Sequence, residues 1–467
     1  MAENKGLFAA KDLTEGTPWK RIVEFAIPML IGNIAQQLYN TADSIIVGRY
    51  IGDYALAAVG SAGPILNLLL VLFVGISVGA GIMVSQFFGA KERDKLSRAI
   101  GTCITLTALA SAAIMIVGPL VSRPLLELLN TPPTIIDWCV DYLNIFFLGA
   151  AGFSYYNIFA GILRGLGDSY SALIFLLLAT ALNVGLDILF VASFGMGVPG
   201  VALATVIAQG VSAIFCLIKL LGMTDSFDLN WSVLRIDQEL TKTVLRLGLP
   251  SGITQAIFSL AMIMMQSLTN SFGEMVIAAN VIVMRVDGFA MMPNFSFGSA
   301  MTTFTGQNIG AGKMDRVNQG ARSGTMISVA VSTVITVLLL LFGHHLMNVF
   351  TDTSELVSLS MHFMRILAIG YIAIAVTQAL SGVMRGAGDT ITPMWISLFS
   401  LVALRVPIAY GVAYLTRSIQ YPTGRSESTF ISLLVSWTLG AVITFFYYRR
   451  GTWRDKRINL NVKGEAV

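Results

Sequence analysis

Gly161-Ile-Leu-Arg164-Gly165-Leu-Gly167-Asp168 returns later in the chain as Gly382-Val-Met-Arg385-Gly386-Ala-Gly388-Asp389, displaced by 221 positions. At the same displacement Gln86, Gly89, Ala90 and Asp94 return as Gln307, Gly310, Ala311 and Asp315, and Gly52, Ala57 and Ala58 as Gly273, Ala278 and Ala279. Pro28 meets Pro250 one residue out of phase, so a small gap separates the two registers. The chain is two copies of one unit.

Those copies are very apolar. Hydrophobic residues make up 55% of the chain and charged residues 12%, with a mean hydropathy of +0.74, where a soluble domain carries roughly 25% charge. Apolar runs long enough to cross a hydrocarbon layer of about 30 Å recur twelve times. They lie near 20–48, 54–85, 94–121, 135–162, 169–192, 199–221, 242–271, 275–305, 318–343, 355–383, 390–416 and 427–448. Their length and lack of period-two alternation predict helices, not strands. The polar segment Gly222–Glu239 divides six runs from six, so both halves start on the same side and are parallel repeats, an arrangement of transporters. The expected organisation is a first lobe 1–222, a linker 223–239, a second lobe 240–450 and a basic tail 451–467.

Charge placement sets the topology. With the N-terminus inside, inner segments hold 23 of the 30 Lys and Arg, and outer loops hold Arg49, Arg123, Arg417 and Arg425. This positive-inside bias predicts cytoplasmic termini. The polar start to Thr17 has no short apolar segment with a cleavage site, so no removable signal is expected. The tail residues Arg449, Arg450, Arg454, Lys456 and Arg457 fit anionic lipid and topology setting better than nucleic acid. Cys103, Cys139 and Cys216 have neither metal-ligand nor disulfide spacing and read as packing positions. The runs around Lys91 and Lys313 miss the spacing of a phosphate loop and read as short surface turns.

Several runs contain helix breakers: Pro28, Pro64, Pro250, Pro293 and Pro407. A proline frees a carbonyl and kinks a helix, which makes Pro28 a hinge candidate, although proline is common in membrane helices. Gly75-x-x-x-Gly79 permits close helix packing.

Polar residues inside the apolar runs need a reason, because a charge at the bilayer centre costs about 2.5–3.5 kcal/mol on insertion scales. Asn33, Gln36, Tyr39, Asn40 and Asp43 follow steps of three and four and share one face of the first helix. Thr180, Asn183 and Asp187 repeat the pattern in the fifth run, and Thr205 and Gln209 in the sixth. Counted from the run ends, Asp43, Asp187 and Thr205 lie at one level, roughly 8–10 Å below the outer boundary. Two carboxyls, an amide and a hydroxyl at one depth suit Na⁺ or a proton; a polar network that fixes helix packing is the alternative. Moved on by 221 positions, Asp43, Asn183 and Asp187 meet Met264, Leu404 and Ile408. Ion chemistry is therefore expected in the first half.

The second half has its own charges, Arg285, Asp287 and Arg405. Residues at i and i+2 do not face each other, so Asp287 is expected to pair across helices with Arg405, in a structural or a substrate- or proton-linked network. His344 and His345 are expected in an outer loop, with His362 and Arg365 near a helix start. Met262, Met264, Met265, Met284, Met291, Met292 and Met301 suit an adaptable cavity or plain membrane packing.

Taken together, Pro28 with Gln36, Tyr39 and Asp43, the Asn183-x-x-x-Asp187 pair, Thr205 and the doubled Gly-x-x-Arg-Gly-x-Gly-Asp resemble the multidrug and toxic compound extrusion (MATE) family, over about 20–450. The resemblance is to its bacterial DinF-like branch. It implies an all-α membrane protein of twelve transmembrane helices in two pseudo-symmetric six-helix lobes forming a V. It implies efflux of amphiphilic organic cations in exchange for H⁺ or Na⁺. Asp43, Asn183, Asp187 and Thr205 then take the cation-coupling positions. Gln36, Tyr39 and Asn157 line the drug cavity, and Asn40 joins them as a substrate-binding candidate from the same stripe. A second-lobe acid on the seventh helix, usual in the NorM-like branch, is replaced by Gln255.

The runner-up function is a flippase for lipid-linked saccharides, which would favour a strongly cationic cavity. A channel would need a symmetric pore, and no nucleophile–base or metal constellation suggests an enzyme. The expected partners are small amphiphilic cations and membrane lipid, with no nucleic acid, no cofactor beyond the coupling ion and no second subunit. The expected location is the bacterial cytoplasmic membrane. A fluorescent-protein fusion to the C-terminus should glow and an alkaline-phosphatase fusion there should be inactive; the reverse pattern would invert the topology.

Overall fold

A computed structural model describes residues 10–129 and 131–458. The first residues of the polar start, 1–9, and the end of the basic tail, 459–467, lie outside the described residues. Helices occupy most of the rest, and no strand occurs among the described residues. In order they are α1 Pro18–Tyr50, α2 Asp53–Gly89, α3 Arg93–Leu128, α4 Ile136–Leu148, α5 Ala150–Gly165, α6 Ser169–Asp187, α7 Gly197–Leu221, α8 Gln238–Asn270, α9 Glu274–Gly310, α10 Met314–Asn348, α11 Ser354–Ala368, α12 Gly370–Gly386, α13 Ile391–Leu398, α14 Arg405–Leu415 and α15 Ser428–Arg450. Each expected apolar run falls on one of these helices or on pieces joined end to end. By length and composition, eight of the described helices can cross a membrane, or ten if each bent pair is one span. α1 is not among them, because Asn33, Gln36, Gln37, Tyr39 and Asn40 dilute its apolar residues.

Two runs expected as single rods are broken, at equivalent places. α4 and α5 meet at 53°, and α11 and α12 at 43°. The glycines at the two bends, Gly149 and Gly370, are 221 positions apart. Each admits a bulky neighbour: a Cβ on Gly149 would lie 2.2 Å from Val206, and one on Gly370 2.6 Å from Trp437. Two further runs contain a π-helical turn, Ile188–Ser193 after α6 and Phe399–Leu404 between α13 and α14. His344 and His345 belong to α10 and not to a loop, since the helix runs on to Asn348.

The doubled motif is a packing and turning device. Gly161 and Gly382 let helix backbones touch: a Cβ there would stand 2.7 Å from the Ser77 carbonyl oxygen and 2.3 Å from that of Gly298. Gly167 and Gly388 take φ of +85° and +99°, which reverses the chain. The closing aspartates then cap the next helix. Asp168 accepts from the Ser171 N–H at 2.9 Å, and Asp389 from that of Thr392 at 3.2 Å.

The described chain forms two compact units, one of 10–13, 27–252 and 458, the other of 14–26 and 253–457. This differs from the expected boundaries 1–222, 223–239, 240–450 and 451–467. The change of unit falls inside helices, in α1 just before Pro28 and in α8 just after Pro250. The linker is no free connection, because it is held against α3 in the first unit. Arg93 grips both Asp228 oxygens at 2.8 Å and donates to the carbonyls of Thr224 at 2.6 Å and Asp225 at 2.9 Å. That contact holds the Asp228 carboxyl below the usual carboxylate range. Arg98 pairs with Asp237, which also caps α8 through the N–H groups of Glu239 and Leu240. The described part of the tail packs too: Trp453 is buried and donates to the Tyr448 carbonyl at 3.0 Å.

The first part of α8 lies on α2 in the first unit, over the expected small-residue stripe. A Cβ on Gly79 would stand 2.5 Å from the Val244 carbonyl oxygen, and one on Gly75 2.8 Å from that of Gly248. Gly79→Leu should therefore lower stability by about 1–3 kcal/mol or block folding. Gly60→Leu, placed where no atom lies within 4 Å of a Cβ, should leave the melting temperature in detergent unchanged. Equal melting of the two variants would refute the close packing.

Candidate functional site

The polar face of α1 lies against α6 and α7 within the first unit. α1 packs on α6 at Gly32, where a Cβ would meet the Leu176 side chain at 3.5 Å, an ordinary contact. Two turns further, the Tyr39 hydroxyl donates to Thr205 Oγ1 on α7 at 3.2 Å. Asn183 on α6 donates its amide to the same oxygen at 3.1 Å. Thr205 in turn donates to the Val201 carbonyl of its own helix at 3.1 Å. One hydroxyl thus ties three helices together.

Beside this knot lie the two carboxyls. Asp187 closes α6 and is fully buried; the Asp43 carboxyl is within hydrogen-bonding reach of it. Asp43 Oδ1, both Asp187 oxygens, Asn183 Oδ1 and Gln209 Oε1 are buried and receive no donor from the protein. Two facing carboxyls out of water cannot both stay ionised unopposed; a shared proton or a cation among them relieves the repulsion. Hard oxygens on four side chains fit either. The described residues hold no cluster of His, Cys, Asp and Glu suited to a transition metal. The π-helical turn Ile188–Ser193 begins immediately after Asp187, and such turns shift the register of a helix locally.

Gln36, Tyr39, Thr180, Asn183 and Gln209 line a crevice too narrow to admit water, closed by Leu176, Ala179 and Ala208. The structure thus brings Asp43, Asn183, Asp187, Thr205, Gln36 and Tyr39 together. Two expected substrate-binding residues stand apart. Asn40 is exposed, because a step of one along a helix turns a side chain by a little over a quarter of a turn. Asn157 lies on α5 and donates back to the Phe153 carbonyl at 2.9 Å. Conversely, Tyr142 of α4 is buried close to the Asp43 and Asp187 carboxyls. Nothing in the spacing of α4 marks Tyr142, since its facing depends on the bend at Gly149. Gln209 was visible as the i+4 partner of Thr205.

The second-half charges divide differently from expectation. Arg285 is exposed and stands outside the network. Arg405 is buried but makes no ion pair with Asp287 within 4.0 Å, and its Nε has no acceptor. The nearer partner of Asp287 is the Tyr371 hydroxyl on α12. The π-helical turn Phe399–Leu404 ends immediately before Arg405, and such turns shift the register of a helix locally. His362 pairs with Glu427 at 3.3 Å.

A sequence model of the family described as MatE matches the chain twice, over 28–189 and 250–411. The "Probable multidrug resistance protein YpnP" of Bacillus subtilis (strain 168) is 29% identical over 451 residues, covering 96% of this chain and 99% of the relative. The "Probable multidrug resistance protein YoeA" of the same organism is 28% identical over 447 residues, covering 94% and 95%. A "Crystal structure of MATE in the bent conformation" superposes with a TM-score of 0.88 at 24% identity, covering 96% of this chain and 97% of that one. A MOP superfamily transporter from Pyrococcus furiosus gives 0.86 at 24% identity, covering 96% and 98%.

Thr205→Val keeps the shape of the knot and removes the acceptor of Tyr39 and Asn183. It should cost about 1–3 kcal/mol for the stranded donors, read as a lower melting temperature of the full chain. Ser44→Ala, whose hydroxyl serves its own helix on an exposed face, should melt like the unmodified protein; a Thr205→Val melt equally unchanged would deny the knot any part in holding α1.

Proposed function

Because the chain belongs to the MATE family of membrane transporters, we propose that it exports amphiphilic organic cations by alternating access, driven by entry of H⁺ or Na⁺. The observation that carries this reading is the set of buried oxygens on Asp43, Asn183 and Asp187 that receive no donor from the protein. A proton or Na⁺ arriving there neutralises one carboxylate and supplies what those oxygens lack. A cationic cargo is drawn by the same negative charge, so ion and cargo compete for it. One charge moved down 100 mV releases about 2.3 kcal/mol. That energy shifts a two-state equilibrium roughly fiftyfold, provided the ion binds one state better than the other.

The Tyr39–Thr205–Asn183 links supply the coupling element, since they tie α1 to the helices that carry Asp187 and Thr205. Ion binding beside them changes what holds α1. Pro28, at the point where α1 passes from one compact unit to the other, lacks an N–H and is the position that would absorb a bend. The names of the Bacillus subtilis relatives support drug-like cargo. A flippase for lipid-linked saccharides would need basic side chains to face a pyrophosphate, and the crevice lining has none. In this reading the protein works as a monomer without a cofactor in the bacterial cytoplasmic membrane. Both termini lie inside, as the charge bias indicates.

Inverted vesicles should accumulate a fluorescent cationic dye under an imposed H⁺ or Na⁺ gradient, and the gradient that works identifies the ion. Asp43→Asn and Asp187→Asn should each drop accumulation to background while inserting normally. Wild-type accumulation in either variant would contradict the coupling role.

A further inference from the structure

A second cavity lies apart from the crevice. It has a volume of about 720 Å³ and opens between α3, α5, α7 and the linker, all within the first unit. That volume falls in the range of about 300–1,000 Å³ usual for ligand sites. Its lining is uncharged: Ile104, Phe159, Leu217 and Leu229 are typical. Two of the polar atoms present are already engaged. The Tyr155 hydroxyl donates to the Ile104 carbonyl at 3.3 Å, and the Asn230 side-chain oxygen accepts from the Ser232 N–H at 3.1 Å and its hydroxyl at 2.5 Å. A cationic cargo would lose its hydration here and gain no counter-charge.

The groove opens onto the outer face of α7, where Ile214 and Leu221 of its rim are half exposed beside Ile218. On a membrane-spanning helix that face meets lipid tails. At the linker end stands Trp231, 88% exposed, an amphipathic ring of the kind that settles at headgroup level. Next to the lining residue Leu234 comes Arg235, which is exposed. Arg93 and Arg98, on the same edge, are paired with Asp228 and Asp237, whereas Arg235 makes no ion pair among the described residues.

We propose that this groove seats an acyl chain of a phosphate-headed membrane lipid, with the phosphate against Arg235 and the Trp231 ring at the glycerol level. The bound lipid holds the linker on α3, α5 and α7, and the site is separate from the ion-coupled crevice.

The test is native mass spectrometry of the full chain released from nanodiscs of phosphatidylglycerol. The unmodified protein should retain one phospholipid through detergent exchange. Gly210→Leu should lose it, because no atom lies within 4 Å of a Cβ there and the added side chain fills the groove. Arg235→Gln, on the surface, should weaken retention about fivefold, the effect of one basic residue at a membrane surface. If Gly210→Leu does not fold, Ile214→Trp fills the groove from its rim. Equal retention in the filled variants and the unmodified protein would overturn the site. Diacylglycerol held as strongly as phosphatidylglycerol would overturn the phosphate contact, and displacement of the lipid by a lipophilic cation would give the groove to cargo.

Discussion

A carboxylate held away from water demands a partner, and much of the first unit is arranged around not giving Asp43 and Asp187 a permanent one. A buried acid can instead be satisfied by its own surroundings. Asp168, for example, accepts from both the backbone and the hydroxyl of Ser171. Asp187 has no such donors, although it too is buried. A fixed partner such as an arginine would make the site inert. In the proposed reading, open oxygens make the local free energy depend on a mobile ion, the property a coupled transporter requires.

The cost of that openness is contained by the helices around it. Thr205 Oγ1 gathers Tyr39 and Asn183, so the donors next to the carboxyls are directed at a hydroxyl and do not quench the acids. Asn183 is consequently held with its amide on Thr205 and its oxygen open. The arrangement needs three helices in register at one depth, and the apolar packing behind them supplies it: Val47, Leu143, Phe147 and Val201 are all at most 1% exposed.

Duplication has kept the devices that shape the backbone and dropped the chemistry. The bends at Gly149 and Gly370, the close contacts at Gly161 and Gly382 and the left-handed turns at Gly167 and Gly388 recur because they are conditions on the chain path that a side chain would break. Lys91 is an exception that tests the rule. It holds φ of +58° where the second half has Gly312 at +71°, a strained choice tolerated at an exposed turn. The charged side chains carry no such condition. The second unit instead holds Asp287, Tyr371 and Arg405, with the arginine set beside a π-helical turn at a different point of its helix from the turn beside Asp187.

The sequence by itself determined the helical membrane class, the duplication and the face of α1 that turns inward. These follow from local periodicity and from the cost of polar groups in hydrocarbon, both properties of a single segment. It also predicted one depth for Asp43, Asp187 and Thr205, because helix rise is constant. Tertiary structure alone decided which residues at that depth meet. Asn40 turns outward and Tyr142 turns in through the bend between α4 and α5. Arg405 follows a π-helical turn and makes no ion pair with Asp287. The compact units divide inside α1 and α8, since helix packing on Gly75 and Gly79 outweighs the polar break at the linker. Rotation about a helix axis and the choice of packing partner depend on contacts between distant segments, and no periodicity within one segment encodes them.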